Sequence, residues 1–390
     1  MTAAKQKRVA WLDTVRVFAS LTIIVSHFFM LKFFWYTHQT LVLSLACIGH
    51  VGVFLFFAIS GYLASNSLKH SKNVWEFYRR KLIRIVIPFT TAYVVLGIFF
   101  IMLGILEPSL AKQSPFYHIL YKGGNYLSIL FSIFPWDQNL RRFLSSPEYL
   151  NLPSYWFVGE WFIGTVVWLY LITPILDKLL KKNFFVTAIT TIAVSLIVYF
   201  NTTWMESNHG RGLINWFIFL VRTPEFLIGM VIFVYRDFIL KYRSILIKFS
   251  ILIVLTYSIY IFAFTSDVNP EYPIFPIFYR LCYKHPSSFI FSLPFIYLLF
   301  TFAEWLNKKF SGMILEKFNS LSEISYMAML IQHVIIYLFA RSFDFEKLSK
   351  FGVWLMLTLI TLTIVVTSFK IRNIYKPIEE WCIKNFLKRK

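Results

Sequence analysis

The chain has 390 residues, of which 58% are hydrophobic and only 15% are charged, and its mean hydropathy is +0.63. These values exclude a soluble globular domain of ordinary composition. The net charge of +20 could indicate a nucleic-acid partner, but the basic residues flank apolar stretches and form no separate basic domain, which argues against that class.

Apolar stretches of helical length recur along the whole chain. About 20 such residues cross the ~30 Å hydrocarbon core of a bilayer as a helix. We therefore predict an all-α polytopic membrane helix bundle with about ten transmembrane helices. The predicted spans are residues 12–36, 41–64, 85–106, 155–176, 183–200, 213–234, 245–265, 287–306, 321–340 and 351–369.

The distribution of basic residues predicts the orientation of these spans. With both termini in the cytoplasm, 25 of the 39 Lys and Arg residues fall in cytoplasmic segments and 10 fall in outer segments. This asymmetry follows the positive-inside rule. The basic clusters RRKLIR (79–84) and KNFLKRK (384–390) also suit an anionic inner leaflet.

No repeat and no Gly/Ser-rich linker divides the chain, so we predict one membrane domain over residues 1–390. Outer insertions are expected at 107–154 and, smaller, at 266–286. No small-residue cleavage site follows the first apolar run, which indicates an uncleaved first span. The cysteines show no metal-ligand spacing and no sensible pairing; they are Cys47, Cys282 and Cys382.

The first predicted span carries three ionisable residues, and an ionisable group in a span is costly. Asp13 and Arg16 are three residues apart, so they lie on one helical face and can pair. His27 lies eleven residues beyond Arg16, which is about 16 Å along a helix. Two interpretations of His27 remain open: a neutral histidine hydrogen-bonded inside the bundle, or a general base facing a buried cavity.

The third span begins with a basic cluster. Arg80 and Arg84 are one helical turn apart, and Lys81 lies beside them. Such a cluster can be a topology signal, or it can bind a phosphate-bearing ligand, for which Arg84 is the best-placed residue because it is closest to the apolar run.

Several later spans also carry ionisable residues. Glu160 lies in the outer half of the fourth span, and His333 lies in the middle of the ninth. Arg222 and Glu225 flank Pro224 and can satisfy each other as an ion pair. The segment SLSE (320–323) has the pattern of a capping box that begins the ninth helix. No motif for a metal or a nicotinamide cofactor is present, so neither is expected.

Six stretches in order along the chain resemble the acyltransferase-3 family of integral membrane acyltransferases. In that family an Arg or Lys and a His, separated by ten residues, occupy the first span, as Arg16 and His27 do here. The stretches are LDTVRVFASLTIIVSH (12–27), GVFLFFAISGYL (52–63), FYRRKLIRIVIPF (77–89), WFVGEWFIGTVVWLYLITPIL (156–176), VRTPEFLIGM (221–230) and ISYMAMLIQHVII (324–336). Thr14 and Val17 stand where glycines are common in the family.

The resemblance implies transfer of an acyl group, most commonly acetyl, from acetyl-CoA to a hydroxyl of an extracytoplasmic or lipid-linked glycan at the cell membrane. It implies that His27 is the base or acyl carrier, and that Arg16 and the 79–84 cluster face the CoA phosphates or support the histidine. Asp13 is expected to hold Arg16 in place. Supporting or acceptor-side roles are expected for Ser60, Tyr62, Trp156, Glu160, Arg222, Glu225 and His333.

A second class of function remains open from the residues alone. Buried charged residues and about ten helices also fit a transporter or flippase for a glycan or lipid-linked saccharide. No paired halves and no matching broken helices are visible in the sequence, which favours the enzyme.

Overall fold

The structure is a computed structural model that describes residues 10–32, 45, 48–111, 158, 160–209, 218–264, 288–310, 313–344 and 347–387. Within these ranges the regular elements are helices and no strand occurs, which confirms the all-α prediction. In chain order they are α1 (Ala10–Lys32), α2 (Gly49–Lys69), α3 (Val74–Leu106), α4 (Pro108–Ala111), α5 (Glu160–Lys182), α6 (Phe184–His209), α7 (Phe219–Val234), α8 (Arg236–Lys241), α9 (Arg243–Phe264), α10 (Ser288–Lys309), α11 (Met313–Ser342) and α12 (Lys350–Leu387).

Nine helices in the described ranges are long and apolar enough to cross a membrane: α1, α2, α3, α5, α6, α9, α10, α11 and α12. The remaining predicted span, 213–234, corresponds to α7, whose 16 residues begin at Phe219. The chain is therefore a multi-pass membrane protein. The cytoplasmic placement of both termini stays a prediction.

Three helices extend well beyond the spans predicted for them. α3 has 33 residues, α11 has 30 and α12 has 38. At 1.5 Å per residue each is at least ~45 Å long, which exceeds the ~30 Å hydrocarbon core. Polar caps define some ends: the Asn73 side chain accepts from the Glu76 N–H at 2.8 Å at the start of α3.

The predicted capping box at 320–323 is wrong, because these residues lie inside α11. The segment from Met313 to Asn319 contains no Gly or Pro, so nothing interrupts the helix before Ser320. The Ser320 hydroxyl donates back to the Glu316 carbonyl at 3.1 Å, as a serine within a helix does.

The described chain forms two compact units. The first comprises Met1–Ile59 and Asp237–Tyr326, and the second comprises Ser60–Arg236 and Met327–Lys390. The prediction of a single domain over 1–390 stays a prediction. Of the two predicted insertions, the structure describes only residues 107–111, and 266–286 lies outside the described residues.

In the first unit, α10 packs against both α1 and α9. The Trp11 and Phe300 ring centroids are 5.0 Å apart between α1 and α10. The first half of α2 also approaches α1 closely, since a Cβ on Gly52 would lie 2.6 Å from the Ala19 carbonyl oxygen. Glycine at position 52 is therefore required by the contact between these two helices.

In the second unit, α3 packs along α12, and α5, α6 and α7 pack against one another. Side-chain hydroxyls reinforce these contacts by donating to helix carbonyls of a neighbouring helix. The bonds run from Tyr78 to Leu171 at 2.8 Å, from Ser195 to Val221 at 3.1 Å, and from Tyr235 to Leu180 at 2.7 Å.

Candidate functional site

The predicted pair of Asp13 and Arg16 is present near the start of α1. Arg16 Nη1 lies 3.1 Å from Asp13 Oδ1. Asp13 is only 1% exposed, whereas the Arg16 side chain is 27% exposed. The carboxylate is thus a buried anchor, and the arginine side chain that it holds is partly exposed.

Two residues of other helices join this pair, and sequence reasoning missed both. Ser322 of α11 donates its hydroxyl to Asp13 Oδ1 at 2.6 Å. Asn307 of α10 donates its Nδ2 to Thr14 Oγ1 at 2.8 Å. The first turns of α1 are therefore held by polar bonds to α10 and α11. The available signal was that Ser322 and Ser325 lie on one helical face, but the segment SLSE (320–323) was interpreted as a capping box.

His27 lies on the same uninterrupted helix as Arg16. α1 runs from Ala10 to Lys32 without Gly or Pro, so the eleven-residue separation corresponds to ~16 Å along its axis. The His27 side chain is half-buried, one residue beyond the buried Ser26. An arginine side chain is much shorter than 16 Å, so Arg16 does not reach the imidazole.

The second unit contains a buried ion pair on α7. Arg222 Nη1 lies 3.4 Å from Glu225 Oε1, and both side chains are at most 7% exposed. The expected ion pair is present, but it leaves the buried Glu225 Oε2 without a hydrogen-bond partner among the described residues. The pair lies beside the crossing of α7 with α2, where a Cβ on Gly61 would come within 1.9 Å of the Phe226 carbonyl oxygen.

The three basic residues predicted on α3 have different surroundings. Lys81 is buried, donates its Nζ to the Leu63 carbonyl at 2.9 Å, and lies 4.6 Å from the Tyr170 ring centroid. Arg80 Nη2 lies 2.5 Å from Glu76 Oε1, and Arg84 is exposed. Lys81 thus connects α2, α3 and α5, whereas the Arg84 side chain is exposed.

The Ser60-Gly61-Tyr62 segment lies in the middle of α2. Ser60 is half-buried, and Tyr62 is 2% exposed. The Tyr62 ring packs edge-on against Phe233 at 5.2 Å between centroids, and its hydroxyl accepts from Arg236 Nη1 at 3.4 Å. Arg236 is a further cation of the second unit that sequence reasoning did not single out.

The remaining predicted residues are His333, Glu160 and Trp156. His333 is buried on α11, next to the buried Gln332. Glu160 is the first residue of α5, and its side chain lies outside the described part of the structure; Trp156 lies outside the described residues altogether. Among the described side chains, no group of three or more His, Cys, Asp or Glu is arranged to hold a metal ion.

The fold and these residues define a polytopic membrane protein with buried ionisable side chains among its helices and with a half-buried histidine and an anchored, partly exposed arginine on the first span. The model of the acyltransferase-3 family, described as an acyltransferase domain, matches residues 9–371. The chain therefore belongs to this family of membrane acyltransferases, which confirms the resemblance. Searches of curated proteins and of solved structures found no similar chain.

Proposed function

We propose that the protein transfers an acetyl group from cytoplasmic acetyl-CoA to a hydroxyl of an extracytoplasmic or lipid-linked glycan. The observation that carries this proposal is the arrangement of α1, which presents an Asp13-anchored arginine and, ~16 Å further along one rigid helix, a half-buried histidine. With the predicted orientation, the arginine is nearer the cytoplasm and the histidine nearer the outer side. This order suits a donor that enters from one face and an acceptor that enters from the other.

Arg16 is assigned to the donor rather than to the histidine. Its side chain is too short to contact His27, and its accessible part can meet an anionic ligand. Arg84 is exposed in the second unit and is a further candidate for the CoA phosphates. Lys81 is bonded to the Leu63 carbonyl, and Arg80 is paired with Glu76. These two residues therefore contribute to donor binding through their positive charge more than through direct bonds.

His27 is assigned to the chemical step. As a general base, its neutral nitrogen accepts the proton of the acceptor hydroxyl while the oxygen attacks the thioester carbonyl, and the CoA thiolate leaves. As an acyl carrier, the same nitrogen attacks the thioester first and then passes the acetyl group to the hydroxyl. Acid quenching followed by mass analysis of the α1 peptide separates the two routes, because only the second gives an acetylated His27.

The acceptor-side roles are assigned to the residues of the later family segments. Trp156 can stack on a sugar ring, and Glu160 and His333 can bond to its hydroxyls. Arg222 and Glu225 support this region as a buried ion pair. Because the acceptor is extracytoplasmic, the protein is placed in the cell membrane, and acyl-CoA and a glycan are its small-molecule partners.

The test uses membranes from cells that express the full chain, together with radiolabelled acetyl-CoA and the envelope glycans of the same cells. The wild type is expected to move label into the glycan fraction, and His27→Ala is expected to lose at least about 100-fold of this rate, since proton transfer by a positioned side chain contributes 10²–10⁴-fold. His70→Ala is the matched control, because His70 is exposed and, within the described part of the chain, its ring nitrogen Nδ1 bonds to the Asn66 carbonyl one turn earlier. Equal rates in wild type and His27→Ala contradict the proposal, as does glycan movement without acylation.

A further inference from the structure

We propose that Ser322 is a positioning residue for Arg16: its hydroxyl fixes the Asp13 carboxylate and the guanidinium together, and so sets the orientation in which Arg16 meets the anionic part of the donor. This inference rests on the proposed role of Arg16 in binding acyl-CoA. The two residues of the pair are neighbours on α1, whereas Ser322 lies more than 300 positions later, on α11.

The three side chains form a closed triangle of hydrogen bonds. Ser322 Oγ donates to Asp13 Oδ1 at 2.6 Å, and the same Asp13 oxygen accepts from Arg16 Nη1 at 3.1 Å. Arg16 Nη1 also donates to Ser322 Oγ at 3.4 Å. The single hydroxyl proton is directed to the carboxylate, and a lone pair faces the guanidinium, so one small side chain contacts both charged partners.

Burial makes the bond to Asp13 important. Asp13 is 1% exposed and Ser322 is 4% exposed, so water does not readily replace the hydroxyl. A short O–H···O⁻ bond to a buried carboxylate is among the stronger hydrogen bonds in proteins. Without it the carboxylate loses one of the bonds that set its orientation, and the arginine Nη1 that it anchors shifts with it.

The position of Ser322 is itself well fixed. Its carbonyl accepts from the Ser325 hydroxyl at 2.8 Å, and the Ser325 carbonyl accepts from Ser20 of α1 at 3.3 Å. Since α11 is bonded to α1 at two successive turns, the hydroxyl is held in place by backbone that does not depend on Arg16. Ser322 therefore fixes the position of the arginine, and its own position does not depend on the arginine.

The experiment compares steady-state kinetics of Ser322→Ala, Ser322→Thr and Asp13→Asn with the wild type, with acetyl-CoA as the varied substrate. We expect Ser322→Ala to raise KM for acetyl-CoA by about 5- to 20-fold with kcat within about twofold, because donor binding and not the chemistry is affected. Ser322→Thr retains the hydroxyl and is expected to restore KM to within about threefold. Ser320→Ala is the control, since Ser320 is exposed two residues away and, among the described residues, its hydroxyl bonds to the Glu316 carbonyl of its own helix.

A double-mutant cycle tests the route through Asp13. Adding Ser322→Ala to Asp13→Asn is expected to change KM by less than about twofold, because the anchor has already been altered. If the increase in KM of the double variant equals the product of the increases in the two single variants, the proposal is wrong. It is also wrong if the melting temperature of the Ser322→Ala variant falls while its KM is unchanged, since that is the behaviour of a packing residue.

A readout independent of turnover separates this inference from the proposed function. Phenylglyoxal modifies accessible guanidinium groups, and mass spectrometry of the α1 peptide gives the rate at Arg16. Ser322→Ala is expected to increase this rate at least about threefold over the wild type and Ser322→Thr. If the wild type transfers no acyl group but this difference is present, the proposed function fails and the positioning role stands; if the labelling rates are equal, the positioning role fails.

Discussion

At the scale of single residues, the Arg222–Glu225 pair gives a sharp test of what a buried ion pair does in this protein. Both side chains are at most 7% exposed. Removing the arginine leaves a buried carboxylate without its partner, so Arg222→Ala is expected to lower the free energy of unfolding by about 3–5 kcal/mol. Unfolding by sodium dodecyl sulfate in mixed micelles measures this change.

The matched control removes both charges. Arg222→Met with Glu225→Leu replaces the pair by apolar side chains of similar size, and it is expected to be close to the wild type or more stable. If the double variant is as unstable as Arg222→Ala, packing and not charge explains the loss.

Sequence reasoning succeeded at this scale where partners lie on one helix turn. Asp13 with Arg16 and Arg222 with Glu225 are both three residues apart, and helix geometry alone brings them together. Ser322 could not be found in this way, because its contact with Asp13 depends on how α11 packs against α1. Lys81 was predicted as a ligand-binding cation, and its bond to the Leu63 carbonyl likewise depends on the packing of two helices.

At the scale of helices, Gly61 controls how closely α2 approaches α7. A Cβ at this position would lie 1.9 Å from the Phe226 carbonyl oxygen, which is backbone and cannot rotate away. Gly61→Ala is therefore expected to destabilise the protein by roughly 1–3 kcal/mol through overpacking. Thermal unfolding of the purified protein checks the direction.

The control is a glycine of α12 with space around it. A Cβ on Gly352 would lie 3.4 Å from its nearest neighbours, which is an ordinary contact. Gly352→Ala is expected to stabilise the helix by up to about 1 kcal/mol. Changes of the same sign and size at both glycines would contradict the assignment of Gly61 to a close helix crossing.

The ends of α3 and α11 are joined by a charged contact that gives a pH dependence. Glu107 accepts hydrogen bonds from Ser109 Oγ at 2.6 Å and from Arg341, and these bonds lower the pKa of Glu107 below its ordinary value of 4.5. A lowered pKa in the folded state stabilises the fold above the unfolded value, and this stabilisation is lost as the pH falls through the folded value.

Glu107→Gln is therefore expected to lower the melting temperature near neutral pH, and the difference from the wild type should disappear as the pH falls below 4.5. Melting curves of both proteins over this range provide the measurement. Glu380→Gln is the control, because Glu380 is highly exposed and its nearest cation, Lys376, is 3.9 Å away. A difference that stays constant down to low pH would contradict the role of the Glu107 charge.

At the scale of the whole molecule, the native cysteines test the predicted orientation. Cys382 belongs to the tail that is expected in the cytoplasm, and Cys282 belongs to the predicted outer insertion. With Cys47 and the other cysteine replaced by serine, a membrane-impermeant maleimide is expected to label Cys282 in intact cells and Cys382 only after the membrane is opened. Labelling of both from the same side contradicts the positive-inside assignment.

Much of the architecture could be predicted because the length of each apolar stretch is given by its own residues and does not depend on distant contacts. Nine of the ten predicted spans have a matching helix of sufficient length in the described ranges, and the remaining one, 213–234, has the shorter α7. The lengths of α11 and α12 were underestimated, because a helix continues into polar sequence until something stops it. The hydropathy of the residues marks where the bilayer ends, and it does not mark where the helix ends.

The uninterrupted course of α1 has a consequence, under the proposed function, for which molecules can serve as donor. With no Gly or Pro from Ala10 to Lys32, the helix cannot shorten the ~16 Å between Arg16 and His27 by bending. Under the proposed function, in which Arg16 binds the donor and His27 carries out the transfer, the donor must itself span this distance, with an anionic group at one end and a reactive thioester on a flexible arm at the other. A compact activated acyl compound such as acetyl phosphate has no such arm, so it cannot occupy both positions at once.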